Sequence, residues 1–174
     1  GSFGRTLLRA EDEGLPALGY VATATSVIDA LEQVARQTGV VIHDHAAVEA
    51  VTLESSHVQF RAGSGNFAAG LVAWAEGSIH KEVPHVERDY GQHAVVCSVT
   101  ADRPHGNLAW ERFTDEGPVA LLPLGRHYAV VLTCPDDTAE KVSALDDAAF
   151  LAVLQSRFGS RLAFTQVSPR KVFP

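Results

Sequence analysis

The clearest periodic pattern in the chain is the segment GYVATATSVIDALEQVARQTG. Its apolar residues Val27, Leu31 and Val34 recur at the three- and four-residue spacing of a helix with one apolar face. Ser26 is of a residue type that caps helices, and Gly39 is of the type that ends them. The pattern therefore predicts an amphipathic helix between these two residues.

Strand patterns surround this helix. A short edge strand is predicted over residues 3–9, and one or two strands in VVIHDHAAVEAVTLE. A hairpin is predicted around Gly63-Ser64-Gly65, followed by a buried strand at LVAWA, residues 71–75. The charged, irregular segment 78–88 is typical of a linker between two sub-sheets.

The second half begins with four apolar segments separated by short turns, GQHAVVCSVTAD, NLAWERFT, GPVALLPL and HYAVVLTC. This spacing predicts an antiparallel meander. Two helices follow, the second capped by Asp146 or Asp147 and ended by Gly159, and then two strands, RLAFTQVS and RKVFP. The order of elements predicts an α+β fold with a mainly antiparallel (mixed) sheet and helices on one face.

The segment GPVALLPL carries a proline near its end. Proline has no amide hydrogen, so it belongs at the edge or end of a strand, or at a bulge. Because side chains alternate along a strand, Leu121 and Pro123 are predicted to share one face, while Leu122 takes the other.

Composition limits the classes of function. The chain has 174 residues, 46% hydrophobic and 20% charged, which is typical of a folded domain with a real core. Its net charge of -7 and the lack of a basic patch argue against a nucleic-acid partner. No apolar run reaches the roughly 18 residues of a membrane helix, and the opening GSFGRT is no secretory leader, so we expect a cytoplasmic protein. The missing methionine and the Gly-Ser start lead us to expect a piece of a longer protein.

Cys97 and Cys134 lie in apolar strand patterns, which favours two buried, reduced thiols over a disulfide or redox pair. His43 and His45 have a spacing that suits two metal ligands, but no third ligand follows at a characteristic spacing. Ordinary strand or surface histidines are therefore favoured, and His80, His85 and His93 are too scattered to change this interpretation.

Glu111 and Asp115 flank a predicted strand and are candidates for acid–base catalysis, although charged residues at strand ends are usually only solvated. Trp110, Phe113 and Tyr128 are candidates to line a pocket for a flat ligand, with core packing as the favoured alternative. The chain has no glycine-rich dinucleotide fingerprint, phosphate loop or nucleophile elbow, so these residues alone name no reaction.

Longer motifs carry a resemblance. The segments FGRTLLRAEDEGLPALGYV, YGQHAVVCSVTADRPHGNLAWERFTDEGPVALLPLG, LDDAAFLAVLQSRFGSRL and VSPRKVFP together resemble the middle of the ubiquinone-biosynthesis hydroxylases. These are FAD-dependent aromatic monooxygenases, similar in fold to 4-hydroxybenzoate hydroxylase. The resemblance implies a parent enzyme that hydroxylates a polyprenylated phenol with NAD(P)H and O2, the flavin carrying the oxygen-transfer chemistry.

The resemblance also implies an organisation. Residues 1–77 would link to the FAD domain, and residues 78–174 would form the substrate-binding domain. In the family the FAD is held by an N-terminal dinucleotide-binding segment and by a second flavin motif, and this chain has neither. We therefore expect the chain alone to bind no FAD and to be inactive.

The site residues implied by the resemblance are of two kinds. In the parent enzyme, the GPVALLPL strand would face the flavin ring and the substrate through Leu121, Leu122 and Pro123. In this chain alone, the same surface would face solvent or a neighbouring molecule. Phe113 and Trp110 would be aromatic walls. The cofactor-binding residues would be Arg170, which begins the strand leading to the second flavin motif, and Glu76 and Gly77, which stand where the family usually has Asp-Gly.

The resemblance suggests partners as well. Other ubiquinone-biosynthesis proteins are expected partners, with a peripheral position at the inner membrane. We also expect a homodimer through the surface that normally meets the FAD domain. The alternative function is a stand-alone, non-catalytic module that binds an apolar ligand or a protein. The sequence leaves open which ring position is hydroxylated.

Overall fold

The computed structural model of the chain describes residues 4–77, 86 and 88–174. Contacts divide the chain into two units, one formed by Gly1–Thr23 with Arg88–Pro174 and the other by Ala24–Glu87. Helices and antiparallel sheets occupy separate stretches of the chain, so the predicted α+β class is confirmed. The predicted linker, residues 78–88, lies outside the described residues except for Val86 and Arg88.

The unit Ala24–Glu87 opens with helix α1 (Ala24–Gln37), which confirms the predicted helix. The helix begins two residues before Ser26. It ends as predicted, because Gly39 has a φ of 78° and the N–H of Val40 donates to the carbonyl of Ala35 at 3.0 Å. This six-residue closure around a left-handed glycine satisfies a carbonyl at the helix end.

A three-stranded antiparallel sheet completes this unit, in the order β1 (Val48–Leu53), β2 (Val58–Ala62) and β3 (Gly65–Ala69). The predicted hairpin is confirmed, with Gly63 at a φ of 57° in its turn. The rings of Phe60 and Phe67, which are direct cross-strand partners, stack with centroids 5.5 Å apart.

Two predicted strands are not formed. Residues 4–9 have no strand structure. The LVAWA segment is also irregular, and Leu71 is 84% exposed. An apolar run becomes a strand only where a neighbouring edge offers hydrogen-bond partners, and nothing in the described part of the chain pairs with this segment.

The other unit contains a six-stranded antiparallel sheet with the order β5-β6-β7-β4-β8, and β9 also pairs with β4. Its elements are β4 (Gln92–Ala101), β5 (Trp110–Arg112), β6 (Val119–Leu124), β7 (His127–Pro135), α2 (Asp136–Ser143), α3 (Asp147–Phe158), β8 (Phe164–Val167) and β9 (Lys171–Phe173).

The predicted meander is correct for β5, β6 and β7 only. β4 pairs with β7 rather than with its sequence neighbour β5. Its other edge is shared by two short strands, since Val99–Ala101 pair with β8 and Ala94–Val96 pair with β9. A strand of ten residues is long enough to serve both partners, which places β4 inside the sheet.

Helices α2 and α3 cover one face of this sheet. Asp146 caps α3 by accepting a hydrogen bond from the N–H of Ala149 at 2.8 Å, and Gly159 follows its last residue, as predicted. The core consists of α3 side chains such as Phe150 and Leu154 packed with strand residues such as Val130. None of the helices in the described ranges is long and apolar enough to cross a bilayer.

Candidate functional site

The face of the six-stranded sheet opposite α2 and α3 is apolar at its centre. Among the described residues of this unit no helix covers this face, which we call the open face. Side-chain alternation and strand register bring together on it the half-buried residues Val96, Ala120, Leu122, Ala129 and Val131, with the hydroxyl-bearing Ser98 opposite Ala129. An antiparallel sheet with one solvated face usually alternates apolar and polar residues. An apolar centre on the uncovered face is typical of a surface that meets a ligand or another polypeptide.

The three residues predicted from the GPVALLPL strand divide between the two faces. Leu121 is fully buried beneath α3, opposite Val130, so the expectation that it faces solvent or a neighbour is wrong. Leu122 lies on the open face, opposite Ala129. Pro123 is half-buried on the same side as Leu121, as alternation predicts, and it pairs with Tyr128 one position before the end of the β6–β7 ladder.

The two predicted aromatic walls, Trp110 and Phe113, lie in different environments. Trp110 is the direct partner of Leu121 on the helix-covered face, and its Nε1–H donates to the hydroxyl of Tyr128 at 3.3 Å. Phe158 meets the indole edge-on at 5.9 Å between ring centroids. Tyr128 is 2% exposed and packs in the core, whereas Phe113 is 78% exposed beyond the end of β5.

A cavity of about 450 Å³ adjoins Trp110 and Tyr128. Three arginines line it, namely Arg5, Arg103 and Arg161. Sequence reasoning found the aromatic residues but not the arginines, since these are far apart along the chain and follow no motif. Only the fold brings them to one place.

Arg170, a predicted cofactor ligand, is bound to the α2–α3 connection. Its guanidinium donates to the carbonyls of Ser143 and Leu145 at 2.8 and 2.6 Å, and to the carboxylate of Asp147 at 2.8 Å. It also lies over the ring of Phe150, 5.0 Å from the centroid. These contacts give Arg170 a role in packing, and its flavin role remains a prediction.

Glu76 and Gly77, the other predicted cofactor residues, belong to the unit Ala24–Glu87. Both are exposed, and Gly77 has a φ of 75° with open space where a side chain would stand. Their predicted role likewise stays a prediction.

Both cysteines are buried and free, as predicted. Burial raises the pKa of the Cys97 thiol to about 12, and burial also raises the pKa of Cys134. The buried guanidinium of Arg157 contacts Cys134 Sγ at 3.6 Å and pairs with the carboxylate of Glu116. The thiols are protonated at neutral pH, so they are packing residues rather than nucleophiles.

The remaining candidates for acid–base catalysis or metal binding do not form a cluster in the described residues. Glu111 and Asp115 are exposed. The ring of His93 is paired with the carboxylate of Asp136 at 2.7 Å. No three metal-ligating side chains converge among residues 4–77, 86 and 88–174. His80 and His85 lie outside these residues.

The sequence of the chain is similar to sequences of several known proteins. No family profile matches the chain. It is similar to the ubiquinone hydroxylase UbiL of Rhodospirillum rubrum, 39% identical over 83 residues, which are 47% of this chain and 19% of that protein. It is also similar to the mitochondrial ubiquinone biosynthesis monooxygenase COQ6 of Drosophila melanogaster, 29% identical over 146 residues, 76% of this chain and 31% of that protein.

An uncharacterized protein of Synechocystis is 36% identical over 87 residues, which are 49% of this chain and 21% of that protein. The chain therefore spans less than a third of the length of these three relatives.

Proposed function

Because this chain is related to the ubiquinone-biosynthesis hydroxylases, we propose that it is the substrate-binding part of an FAD-dependent monooxygenase. The parent enzyme hydroxylates a polyprenylated phenol, with NAD(P)H as the reductant and O2 as the source of oxygen. The names of the relatives, a ubiquinone hydroxylase and a ubiquinone biosynthesis monooxygenase, support this reaction class.

The open face of the sheet is the observation that carries the proposal. Leu122 and Ala129 lie opposite each other at its centre, beside the paired Ala120 and Val131. Small and branched apolar side chains make a surface on which a flat ring and a prenyl chain can lie closely. They would also exclude water from the reacting ring, which protects a reactive oxygen-transfer step from side reactions.

In this proposal the residues of this chain form one wall of a flavin site, and other parts of the parent enzyme form the rest. Phosphate groups of dinucleotides are commonly held by a glycine-rich turn between a strand and a helix N-terminus. The sequence has no such fingerprint. FAD would supply the oxygen-transfer chemistry in the parent, and the chain alone is expected to bind no flavin and to be inactive.

Helix α1 supports the idea of a missing partner segment. Its apolar residues Val27, Ile28, Leu31 and Val34 are between 46% and 64% exposed. An amphipathic helix is normally stabilised by packing its apolar side against another element. We assign the covering element to the FAD-binding part of the parent enzyme, because the resemblance implies that this helix leads back into the FAD domain.

The chemistry of the substrate suggests where the parent works. A polyprenylated phenol partitions into the membrane, so a peripheral position of the cytoplasmic enzyme at the inner membrane, beside other ubiquinone-biosynthesis proteins, would give access to it. Leu122 and its neighbours would then receive the ring from the lipid phase.

The test compares the product of the whole encoding gene with this chain. The whole product should show a visible flavin absorption band and phenol-dependent NAD(P)H oxidation, whereas this chain should show neither. In the whole product, Leu122→Asn should lower kcat/KM about tenfold or more. Ala152→Asn should leave it unchanged, since Ala152 is on the exposed side of α3.

The alternative function makes the opposite prediction. A stand-alone binding module would come from a gene that encodes no flavin-binding segment on either side of this region. A flavin-free gene product that still binds an apolar ligand would favour that alternative.

A further inference from the structure

The arginine-lined cavity next to Trp110 has a composition unlike the rest of the chain. Three of its lining residues are Arg5, Arg103 and Arg161, and none of the described residues that line it is acidic. The chain as a whole has a net charge of -7. A concentration of positive charge against that background produces a local field that favours an anion.

Two hydrogen bonds, one between backbone groups and one to a side chain, bring distant parts of the chain to this cavity. The N–H of Asp102 donates to the carbonyl of Ala163 at 2.8 Å, and the N–H of Ala163 donates back to the Asp102 carboxylate at 3.2 Å. Arg103 directly follows Asp102, and Arg161 is two residues before Ala163. The reciprocal pair of hydrogen bonds therefore holds both arginines at one rim.

The wall between Arg103 and Trp110 is held by a histidine. Nδ1 of His105 accepts the N–H of Asn107 at 3.0 Å, which leaves Nε2 to donate to the carbonyl of Gly125 at 2.9 Å. Asn107 has a φ of 59°, so the turn is tight. Both ring nitrogens are occupied, and the loop is fixed before any ligand arrives, which reduces the entropic cost of binding.

The floor of the cavity is an indole that is already oriented. Trp110 donates through Nε1 to Tyr128, and the guanidinium carbon of Arg161 lies 5.5 Å from the centroid of the Trp110 ring. This cation–π contact positions the guanidinium while leaving its N–H groups available. Among the described residues, no carboxylate is paired with Arg5 or Arg161, whereas Arg103 donates to the carboxylate of Asp102 at 3.5 Å and would share its guanidinium between that carboxylate and a ligand.

We propose that this cavity binds a small organic anion. A carboxylate or phosphate group would accept hydrogen bonds from the guanidinium groups of Arg103 and Arg161, with Arg5 adding charge. A flat or apolar body would lie against Trp110. Guanidinium groups match the geometry of both oxyanions.

The proposal stands apart from the hydroxylase function. The cavity adjoins the helix-covered side of the sheet, where Trp110 and Tyr128 lie, whereas the residues that we propose face the phenol lie on the open face. Binding can be measured on this chain alone, without flavin and without turnover.

The test uses the fluorescence of Trp110 in a Trp74→Phe background, where it is the only tryptophan. Phenyl phosphate and benzoate should bind at least tenfold more tightly than phenol, which lacks the strong negative charge. Inorganic phosphate should bind at least fivefold more weakly than phenyl phosphate. Tight binding of only one of the two aromatic anions would still support the proposal and would identify the acid group.

Substituting the arginines by glutamine tests their role, with an arginine outside the cavity as the control. Arg161→Gln and Arg103→Gln should each weaken binding of the aromatic anion about fivefold or more, and added salt should weaken it further. Arg36→Gln, which removes an exposed charge on α1, should change nothing. The Trp110 indole N–H resonance in the unmodified chain gives a second readout that needs no Trp74 substitution.

Three results would overturn the proposal. These are phenol binding as tightly as both aromatic anions, inorganic phosphate binding as tightly as phenyl phosphate, and unchanged affinity after both arginine substitutions in chains whose thermal unfolding shows them to be folded.

Discussion

Trp110 lies directly opposite Leu121 across the β5–β6 pair, on the side of the sheet that α3 covers. Leu121 is fully buried there, while the next residue, Leu122, lies on the open face. Adjacent leucines in one motif therefore have different tasks. Leu121 holds the helix on the sheet, and Leu122 is the residue that we propose faces the substrate.

Substitution of the two leucines by alanine should separate these tasks. Leu121→Ala should lower the free energy of unfolding by about 2–5 kcal/mol, because it leaves a cavity in the core. Leu122→Ala should cost less than about 1.5 kcal/mol, since its side chain is only half-buried. Urea unfolding followed by circular dichroism measures both values, and equal losses would contradict the assignment of faces.

Gly117, which lies just before β6, packs against the backbone of Thr133 in β7. Its φ is 121°, and an added Cβ would lie 2.9 Å from the carbonyl oxygen of Thr133. Gly117→Ala should therefore destabilise the chain by about 1–3 kcal/mol. Gly106→Ala is the control, because it has a φ of 55° but open space around it, so only the backbone cost of about 1–2 kcal/mol applies. The unfolding temperatures of the two variants test this prediction. A lower unfolding temperature for Gly106→Ala than for Gly117→Ala would refute it.

Asp102 makes the stability of the cavity rim depend on pH. The N–H of Ala163 is the main cause that lowers the pKa of this carboxyl below its usual 3.8, with Arg103 adding to the effect. A carboxyl with a lowered folded-state pKa stabilises the fold above its unfolded pKa, and this contribution is lost as the pH falls through the folded value.

We therefore expect the wild type to exceed Asp102→Asn in unfolding temperature near pH 6, and the difference to shrink as the pH falls below 3.8. Asparagine keeps an oxygen that can accept the Ala163 hydrogen bond, so the substitution removes mainly the charge. A constant difference down to about pH 2.5, measured by calorimetry, would contradict the account.

Helix α1 should drive association of the isolated chain. Its apolar residues, Leu31 at 64% among them, are exposed, and we propose that they belong to the surface that faces the FAD domain in the parent. Light scattering at rising concentration should show a homodimer. Leu31→Glu should shift it towards monomer, whereas Gln33→Glu, the same charge on an exposed polar position, should not. A clean monomer of the unsubstituted chain at high concentration would count against this surface.

Features fixed by neighbouring residues were predictable from the sequence. Asp146 caps α3 and Gly39 ends α1 because side-chain hydrogen bonding and left-handed glycine geometry act within one helical turn. The hairpin at Gly63 follows for the same reason. Alternation also showed correctly that Leu121 and Pro123 share a face.

Features set by distant partners were not predictable. Nothing within β4 indicates that it pairs with β7, and alternation does not tell which face of β6 a helix will cover. The buried position of Leu121 and the meeting of Arg103 with Arg161 both depend on contacts made across dozens of residues. The strand predicted for the LVAWA segment is not formed for a related reason. Its pattern suits a strand, but no strand edge in the described residues pairs with it.

The origin of the oxygen atom in the product tests the central claim most directly. The product of the whole encoding gene should be incubated with NAD(P)H, a polyprenylated phenol and isotopically heavy O2, and the quinone precursor analysed by mass spectrometry. Our account predicts a ring-hydroxylated product with one heavy oxygen atom, lost or strongly reduced in Leu122→Asn. A gene product that forms no hydroxylated phenol, or whose new oxygen comes from water, would contradict it.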